Sequence, residues 1–299
     1  MNELLKYFNE KIDPGLLGVP DIVGQHFTYY KPTSNAVNPR VCLVAHIDTV
    51  YKCTDIAPTV EILHGLMVIH RNSTGLGADD RAGVYACMKL RAQTGSAVLL
   101  TDLEERGGVG AKEASNALKD YFQENIGYFI EMDRAGRNDM VFYNNEPRRF
   151  VKFIKKFGFK EAHGSYSDIA SIGIITGIAG VNISTGYFMQ HTKNEFLIPE
   201  ILEENIERVA AIINARNGKQ YKIPKRVVYE WPELPTRRRP VMPYEYLNRG
   251  YTPEQEQEWL AYEDGYFKSL AAPHNLDIDD INEAAIAREE ERYYMDRFI

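Results

Sequence analysis

Four short apolar segments lie in the first two thirds of this 299-residue chain. They occupy residues 40–48, 96–101, 128–133 and 180–184. Nearly unbroken apolar runs of this length are typical of strands that are covered on both faces. Because segments with helical periodicity lie between them, we predict a doubly wound α/β sheet with helices on both faces. None of these runs approaches the roughly 20 residues that a membrane-spanning helix needs.

Acidic and histidine residues stand at the ends of three of these segments. His46 and Asp48 close the first, the pair Glu104-Glu105 follows the second, and Asp133 closes the third. In open α/β sheets, ligands bind at the carboxyl ends of the strands. The pattern therefore predicts a polar site at that edge. Glu131 precedes Asp133 by two residues on the same strand face, so the sequence leaves the choice between these two open.

A glycine-rich stretch, residues 75–83, carries two adjacent aspartates, Asp79 and Asp80, into a helix with regularly spaced apolar residues. A carboxylate at this point can cap the helix, because its oxygens accept hydrogen bonds from free backbone N–H groups. It can also hold a cation in the loop. Taken alone, the stretch favours the helix cap, and the carboxylates at the strand ends shift the balance to the cation.

The complete candidate set combines two imidazoles with five carboxylates. Its members are His46, Asp48, Asp79, Glu104, Glu105, Asp133 and His191. This mixture suits zinc or a similar divalent ion. Because the acids exceed the needs of one tetrahedral ion, the set predicts two ions about 3.5–4 Å apart, with one carboxylate bridging them. We interpret His64 and His70 as surface histidines of a strand over residues 59–70.

Five motifs follow one another in a defined order. They are His46-Ile47-Asp48-Thr49-Val50, Gly77-Ala78-Asp79-Asp80-Arg81-Ala82-Gly83, Glu104-Glu105 with Gly108 and Gly110, Met132-Asp133, and His191. In these motifs the chain resembles the co-catalytic di-zinc peptidases of metallopeptidase clan MH. That group includes peptidase T, glutamyl aminopeptidase, the carboxypeptidase G type and the single-domain leucyl aminopeptidases. The resemblance covers about residues 40–195 and implies a three-layer α/β/α domain with a mixed, largely parallel central sheet, the phosphorylase/hydrolase-like core of these zinc peptidases.

The resemblance also implies which residues bind the two metal ions. His46 and Asp133 would bind one ion, and Glu105 and His191 would bind the other. Asp79 would bridge both ions. The cofactor implied is therefore a pair of divalent ions, of which zinc is favoured.

Five other residues receive roles from the same resemblance. Asp48 would orient the ring of His46, and Glu104 would be the general base that takes a proton from the attacking water. Asp80 would hold the loop. The pair Ser167-Asp168 would support the site or contact the substrate.

The activity implied is cleavage of an amide bond in a small peptide. An aminopeptidase acting on short peptides is favoured over a carboxypeptidase or an N-acyl-amino-acid deacylase of the same clan. Two further hypotheses stay open: a catalytically silent binding protein with a peptidase fold, and an assembly protein that is recognised through its tail. No ligand or base is missing from the motifs, which favours the enzyme.

Many members of that group insert a lid or dimerisation domain after the ligand that corresponds to Asp133. Here only about 34 residues separate Asp133 from Ser167, too few for a domain of ~50 or more. We therefore expect a catalytic domain over residues 1–219, without an inserted lid, and a C-terminal extension over residues 220–299.

The extension is rich in proline and tyrosine. Four prolines flank three consecutive arginines, namely Pro232, Pro235, Arg237, Arg238, Arg239, Pro240 and Pro243. We predict that residues 221 to about 250 form a strap on the catalytic domain, since buried aromatic side chains gain from such contact. Helices predicted over residues 253–269 and 278–297 are candidates for homo-oligomer contacts.

Composition excludes some partners. The net charge of −7 gives no indication of a nucleic-acid partner. Cys42, Cys53 and Cys87 show no metal or disulfide spacing. Two of them lie inside apolar runs, and we interpret these two as small core residues and expect a reducing compartment. The first residues lack the apolar region of a secretory signal. We therefore expect a cytoplasmic protein without a membrane partner.

Overall fold

The computed structural model describes residues 2–9, 17–51, 60–69, 75–144 and 146–224. Cys53, His70 and the extension from residue 225 onward lie outside these ranges, and our interpretations of His70 and of the extension stay predictions. None of the helices in these ranges is long and apolar enough to cross a membrane.

The described residues form seven helices and twelve strands. The helices are α1 (Asn2–Asn9), α2 (Ala78–Thr94), α3 (Val109–Ala117), α4 (Lys119–Asn125), α5 (Arg148–Lys155), α6 (Asp168–Thr176) and α7 (Pro199–Asn214). The strands are β1 (Ile22–Val23), β2 (Phe27–Tyr30), β3 (Val41–His46), β4 (Val60–Leu63), β5 (Leu66–Ile69), β6 (Ala97–Thr101), β7 (Tyr128–Arg134), β8 (Asp139–Val141), β9 (Lys160–Glu161), β10 (Gly180–Ser184), β11 (Tyr187–Phe188) and β12 (Phe196–Leu197). A 3₁₀ turn, Glu104–Arg106, follows β6.

The main sheet has eight strands in the order β1-β2-β6-β3-β7-β10-β8-β9. The four apolar segments of the sequence form its centre: β6, β3, β7 and β10 are parallel to one another. Antiparallel neighbours, β2 and β8, flank this centre on its two sides. The predicted α/β fold with a mixed, largely parallel sheet is confirmed.

Alternate residues of β3 pack on opposite faces of the sheet, so that the strand serves two cores. Val41, Leu43 and Ala45 belong to a core shared with α1, α2, α5 and α7. Cys42 and Val44 belong to a second core shared with α3, α4 and α6. This alternation explains why the run is apolar throughout and gives the three-layer architecture. Cys42 is buried here, in agreement with its interpretation as a small core residue, and Cys87 is buried in α2.

A smaller antiparallel sheet has the order β11-β12-β5-β4. The single strand predicted over residues 59–70 is wrong: β4 and β5 form a hairpin instead. The chain reverses at His64 and Gly65, which have φ angles of 51° and 82°. Glycine adopts such angles without steric cost. His64 therefore lies in an exposed turn rather than in a strand.

The residues just beyond position 219 pack against the domain. The N–H of Tyr221 donates to the carbonyl of Gly127, and its own carbonyl accepts from Ala179. The Tyr221 ring is buried, with its centroid 4.8 Å from that of Phe150. Tyr221 thus adds an aromatic side chain to the core that contains α5.

Gly83 lies where α2 packs against β7. A Cβ atom at this position would lie 2.0 Å from the main-chain oxygen of Met132 and 2.4 Å from Oδ1 of Asp80. A backbone oxygen in a central strand cannot move aside without shifting the strand. Glycine therefore allows the start of α2 to approach the sheet closely.

Gly83→Ala should lower the free energy of unfolding by about 1–3 kcal/mol, the usual cost of overpacking, although alanine gains about 1 kcal/mol of helix propensity. Gly218→Ala is the control, because no atom would lie within 4 Å of the added Cβ. Urea denaturation of both variants measures the difference. Equal stability of the two variants would contradict the close approach of α2 to β7.

Candidate metal centre

The candidate residues converge at the carboxyl edge of the parallel strands. His46 is the last residue of β3, Asp133 lies near the end of β7, and the turn with both glutamates follows β6. The start of α2 brings Asp79 to the same edge, and the loop between β11 and β12 brings His191. Each of the seven candidates contacts at least one other member of the set.

Asp79 lies between the two imidazoles. Its Oδ1 atom is 3.1 Å from Nε2 of His46, and its Oδ2 atom is 3.1 Å from Nε2 of His191. Burial raises the pKa of this carboxyl group, but its contacts with His191 and His46 outweigh burial and hold the pKa below its usual value. A carboxylate whose two oxygens face different imidazoles has the geometry of a bridging ligand.

Asp80 is fully buried and has a different role from that of Asp79. Ligand atoms of His46, Asp80 and Asp133 lie within 4.8 Å of one another, so distance alone would admit Asp80 as a metal ligand. However, its Oδ2 accepts the N–H of His46 at 3.2 Å, and its Oδ1 accepts the N–H of Gly83 at 3.0 Å. Regular helical geometry begins only after Asp80. The two interpretations of this aspartate pair thus apply to one residue each: Asp80 caps the helix, and Asp79 faces the imidazoles.

Asp48 holds the glutamate turn and the first imidazole. Its carboxylate accepts the N–H groups of Glu104 and Glu105 at 3.0 and 3.2 Å. Its Oδ1 atom is also 3.2 Å from Nδ1 of His46. Burial raises the pKa of Asp48, but the His46 ring outweighs burial, and the net shift is downward. Asp48 therefore fixes two parts of the site through one carboxylate.

The surroundings of His46 determine which ring nitrogen faces the centre. Nδ1 lies 3.1 Å from the carbonyl oxygen of Asp48, which can only accept, so Nδ1 carries a hydrogen. Nε2 then faces Asp79 and Asp133. Burial lowers the pKa of the ring. The carboxylates of Asp133, Asp48 and Asp79 raise it by more, so the net pKa lies well above its usual value.

Asp133, not Glu131, faces the first imidazole. Oδ1 of Asp133 lies 3.6 Å from Nε2 of His46 and accepts a hydrogen bond from the hydroxyl of Tyr187 at 3.1 Å. Glu131 accepts a hydrogen bond from Ser167. Burial, then the charge of Asp79, raises the pKa of Asp133 to about 7.

Glu105 faces the second imidazole, while Glu104 lies in a strongly acidic environment. Oε1 of Glu105 is 3.0 Å from Nε2 of His191. Burial, followed by the charge of Asp133, raises the pKa of Glu104 to about 9. Asp168 accepts a hydrogen bond from Thr101, and burial raises its pKa to about 6.

The chemistry of this donor set fits divalent cations. Five carboxyl groups and two imidazoles converge, and burial and mutual repulsion disfavour ionisation of Asp133 and Glu104. In the described part of the chain, Oε1 of Glu105 is buried without a hydrogen bond of acceptable geometry, although His191 is close. Cations at this edge would relieve the repulsion and satisfy the oxygen.

Solved structures share the fold of this chain. Aminopeptidase PepT from Bacillus cereus matches with a TM-score of 0.50 and 16% identity, over 71% of this chain and 91% of the other. A tripeptidase from Staphylococcus aureus matches with a TM-score of 0.51 and 16% identity, over 72% of this chain and 92% of the other. An aminopeptidase from Desulfurococcus kamchatkensis matches with a TM-score of 0.50 and 12% identity, over 71% of this chain and 89% of the other. At this level of identity the likeness concerns the fold.

Comparison with protein-family models found no match, and comparison with curated proteins found none either.

Three residues that the sequence did not single out contact the candidates. Tyr187 donates to Asp133, and the side-chain amide of Asn182 both donates to the carbonyl and accepts from the N–H of that residue. Glu195 accepts the N–H of Asp79. Asn182 could have been singled out, because it is a polar residue inside the apolar strand 180–184. The loop carboxylate of Glu195 gave no comparable signal.

We predict that the full-length protein binds two divalent ions per chain after loading with zinc or cobalt. His191→Ala should lower the number to one, because His191 faces Asp79 and Glu105 but lies on one side of the centre only. Elemental analysis of desalted protein measures the stoichiometry. A wild-type protein that binds one ion or none would contradict the bridging geometry of Asp79.

Proposed function

We propose that this protein is a two-metal hydrolase that cleaves the peptide bond next to the free N-terminus of short peptides. The observation that carries the proposal is the position of Asp79, whose two oxygens face His46 and His191 at 3.1 Å each. Carboxylates that bridge a pair of ions are a feature of two-metal hydrolases. The solved structures with the same fold include aminopeptidases and a tripeptidase, which is consistent with the proposal.

Two groups of side chains would hold the ions. One group consists of His46, Asp79 and Asp133, and the other of Asp79, Glu105 and His191. The mixture of imidazole and carboxylate donors favours zinc. When bound, such ions supply Lewis-acid activation of the scissile carbonyl and of the attacking water.

Glu104 would carry the proton transfers. Its carboxylate takes a proton from the attacking water as the new C–O bond forms, and it delivers that proton to the leaving nitrogen as the C–N bond breaks. The products are a carboxylate and an amine. Because burial and the charge of Asp133 raise the pKa of Glu104 to about 9, positive charge nearby is needed to keep Glu104 ionised at neutral pH. Asp48 accepts the N–H of Glu104 and so holds this turn in place.

The charge of the site favours an N-terminal substrate. The five carboxylates would carry more negative charge than two divalent ions can neutralise. The remaining negative charge suits an α-ammonium group of the substrate. A substrate carboxylate at the same place would be repelled. Between Asp133 and Ser167 the described residues form β8, α5 and β9 rather than a lid that could supply a carboxylate clamp. These features support an aminopeptidase over a carboxypeptidase or a deacylase.

Glu104→Gln should reduce turnover of a short peptide by about 10²–10⁴-fold, because the amide cannot accept the proton. Two bound ions should remain, since Glu104 lies outside the two ligand groups. Glu105→Gln is the matched variant and should weaken metal binding as well. Turnover and elemental analysis of both proteins measure the difference. Equal metal loss in the two variants would show that these roles are exchanged or wrong.

The direction of attack can be read from one tripeptide offered in three forms: unmodified, N-acetylated and C-amidated. We expect acetylation to stop cleavage, because it removes the ammonium charge, and amidation to leave cleavage intact. Mass spectrometry of the products measures this. The reverse pattern would favour the carboxypeptidase or deacylase alternative. A protein that holds two ions but cleaves no form would favour the silent binding protein.

A further inference from the structure

Glu195 is a buried carboxylate that none of the proposed catalytic steps uses. It lies four residues after His191, at the end of the loop between β11 and β12, and is 2% exposed. A buried carboxylate is costly unless hydrogen bonds compensate it. Its Oε2 accepts the N–H of Gly77 at 2.7 Å, and its Oε1 accepts the N–H of Asp79 at 3.1 Å. Both oxygens are thus occupied by main-chain donors, which separates Glu195 from the metal ligands.

The two N–H groups belong to backbone that lies outside regular helix. Gly77 has a φ angle of 62°, and Asp79 has φ −82° and ψ 101°. The N–H of Asp79 therefore depends on a side-chain acceptor rather than on the helix ladder of α2. Charge-assisted hydrogen bonds of this kind are about twice as strong as neutral ones.

A second contact joins the same two loops. The hydroxyl of Tyr51 donates to the carbonyl of Thr192 at 2.9 Å. The Tyr51 ring packs so closely on Gly75 that a Cβ atom there would lie 2.0 Å from the ring. Tyr51 thus links the loop that carries His191 to the loop before α2 at a second point, in addition to the hydrogen bonds of Glu195.

We infer that Glu195 is a positioning residue that sets the place of the Asp79 carboxylate between the two imidazoles. It does so by holding the main chain of Gly77 and Asp79 while belonging to the loop that carries His191. The inference rests on the proposed function in one respect, namely that Asp79 bridges two ions. Because one carboxylate fixes both the bridging residue and the loop of the second imidazole, loss of Glu195 affects both ions. Loss of His191 affects one.

The test uses Glu195→Gln in the full-length protein, with Glu207→Gln as the control. Glu207 is an exposed glutamate of α7, so the control makes the same change of charge at the surface. Glutamine keeps one acceptor oxygen and replaces the other with a donor, so that only one of the two N–H groups can stay bonded. Residue-resolved hydrogen exchange of the metal-free proteins measures the two amides directly. Titration with zinc measures both affinities.

We expect faster exchange at the amide of Gly77 or Asp79 and zinc affinities about 10–100-fold weaker for both ions in Glu195→Gln, with no change in the control. If Glu195 only stabilised the fold, Glu195→Gln would lower the melting temperature of the metal-free protein without changing its affinity for zinc. If Glu195→Gln does not fold, Glu195→Asp replaces it, because the shorter side chain keeps the charge but cannot reach both N–H groups.

Unchanged exchange at both amides would overturn the inference, as would wild-type affinity for either ion in the variant. If the wild-type protein binds no zinc, the proposed function fails. In that case the exchange rates alone decide whether Glu195 holds the loop. Failure of the positioning role and failure of the metal centre are therefore distinguishable.

Discussion

Carboxyl groups that are withdrawn from water need hydrogen bonds or opposite charge, and this protein collects many of them at one edge of its sheet. The fold meets that need in two ways. Asp48, Asp80 and Glu195 accept main-chain N–H groups and are thereby satisfied within the protein. Asp79, Glu105 and Asp133 instead face imidazole nitrogens. The first group of acids anchors the backbone, and the second is left with oxygens that a cation would complete.

This division explains why the site can be rigid although it is assembled from five separate segments. Each anchoring acid ties one segment to another: Asp48 joins the end of β3 to the glutamate turn, and Asp80 joins β3 to the start of α2. Glu195 joins the β11–β12 loop to the turn before α2. Sites that are held by side-chain hydrogen bonds on helices and strands keep their geometry better than sites on unsupported loops. Parallel strands provide the common edge on which these ties converge.

The fold could be predicted because the four parallel strands β6, β3, β7 and β10 come from nearly unbroken apolar runs, and a run of this kind has few other structures available. The candidate site could be predicted in outline because each member follows such a run or the glycine-rich turn. The strand pattern could not decide between Glu131 and Asp133, because residues two apart lie on the same side of a strand. Their different partners, His46 and Tyr187 for Asp133 and Ser167 for Glu131, come from distant parts of the chain. The hairpin at His64 was missed because the loose alternation continues across the turn, although Gly65 was a usable turn signal. Glu195 was missed because its partners are main-chain N–H groups, which every sequence supplies.

We propose that Asp79 bridges two ions between His46 and His191. Crystals of the zinc-loaded protein, measured at the zinc absorption edge, test it most directly. We expect two anomalous peaks about 3.5–4 Å apart, each with one oxygen of Asp79 as a ligand. A single peak, or two peaks of which only one contacts Asp79, would contradict it.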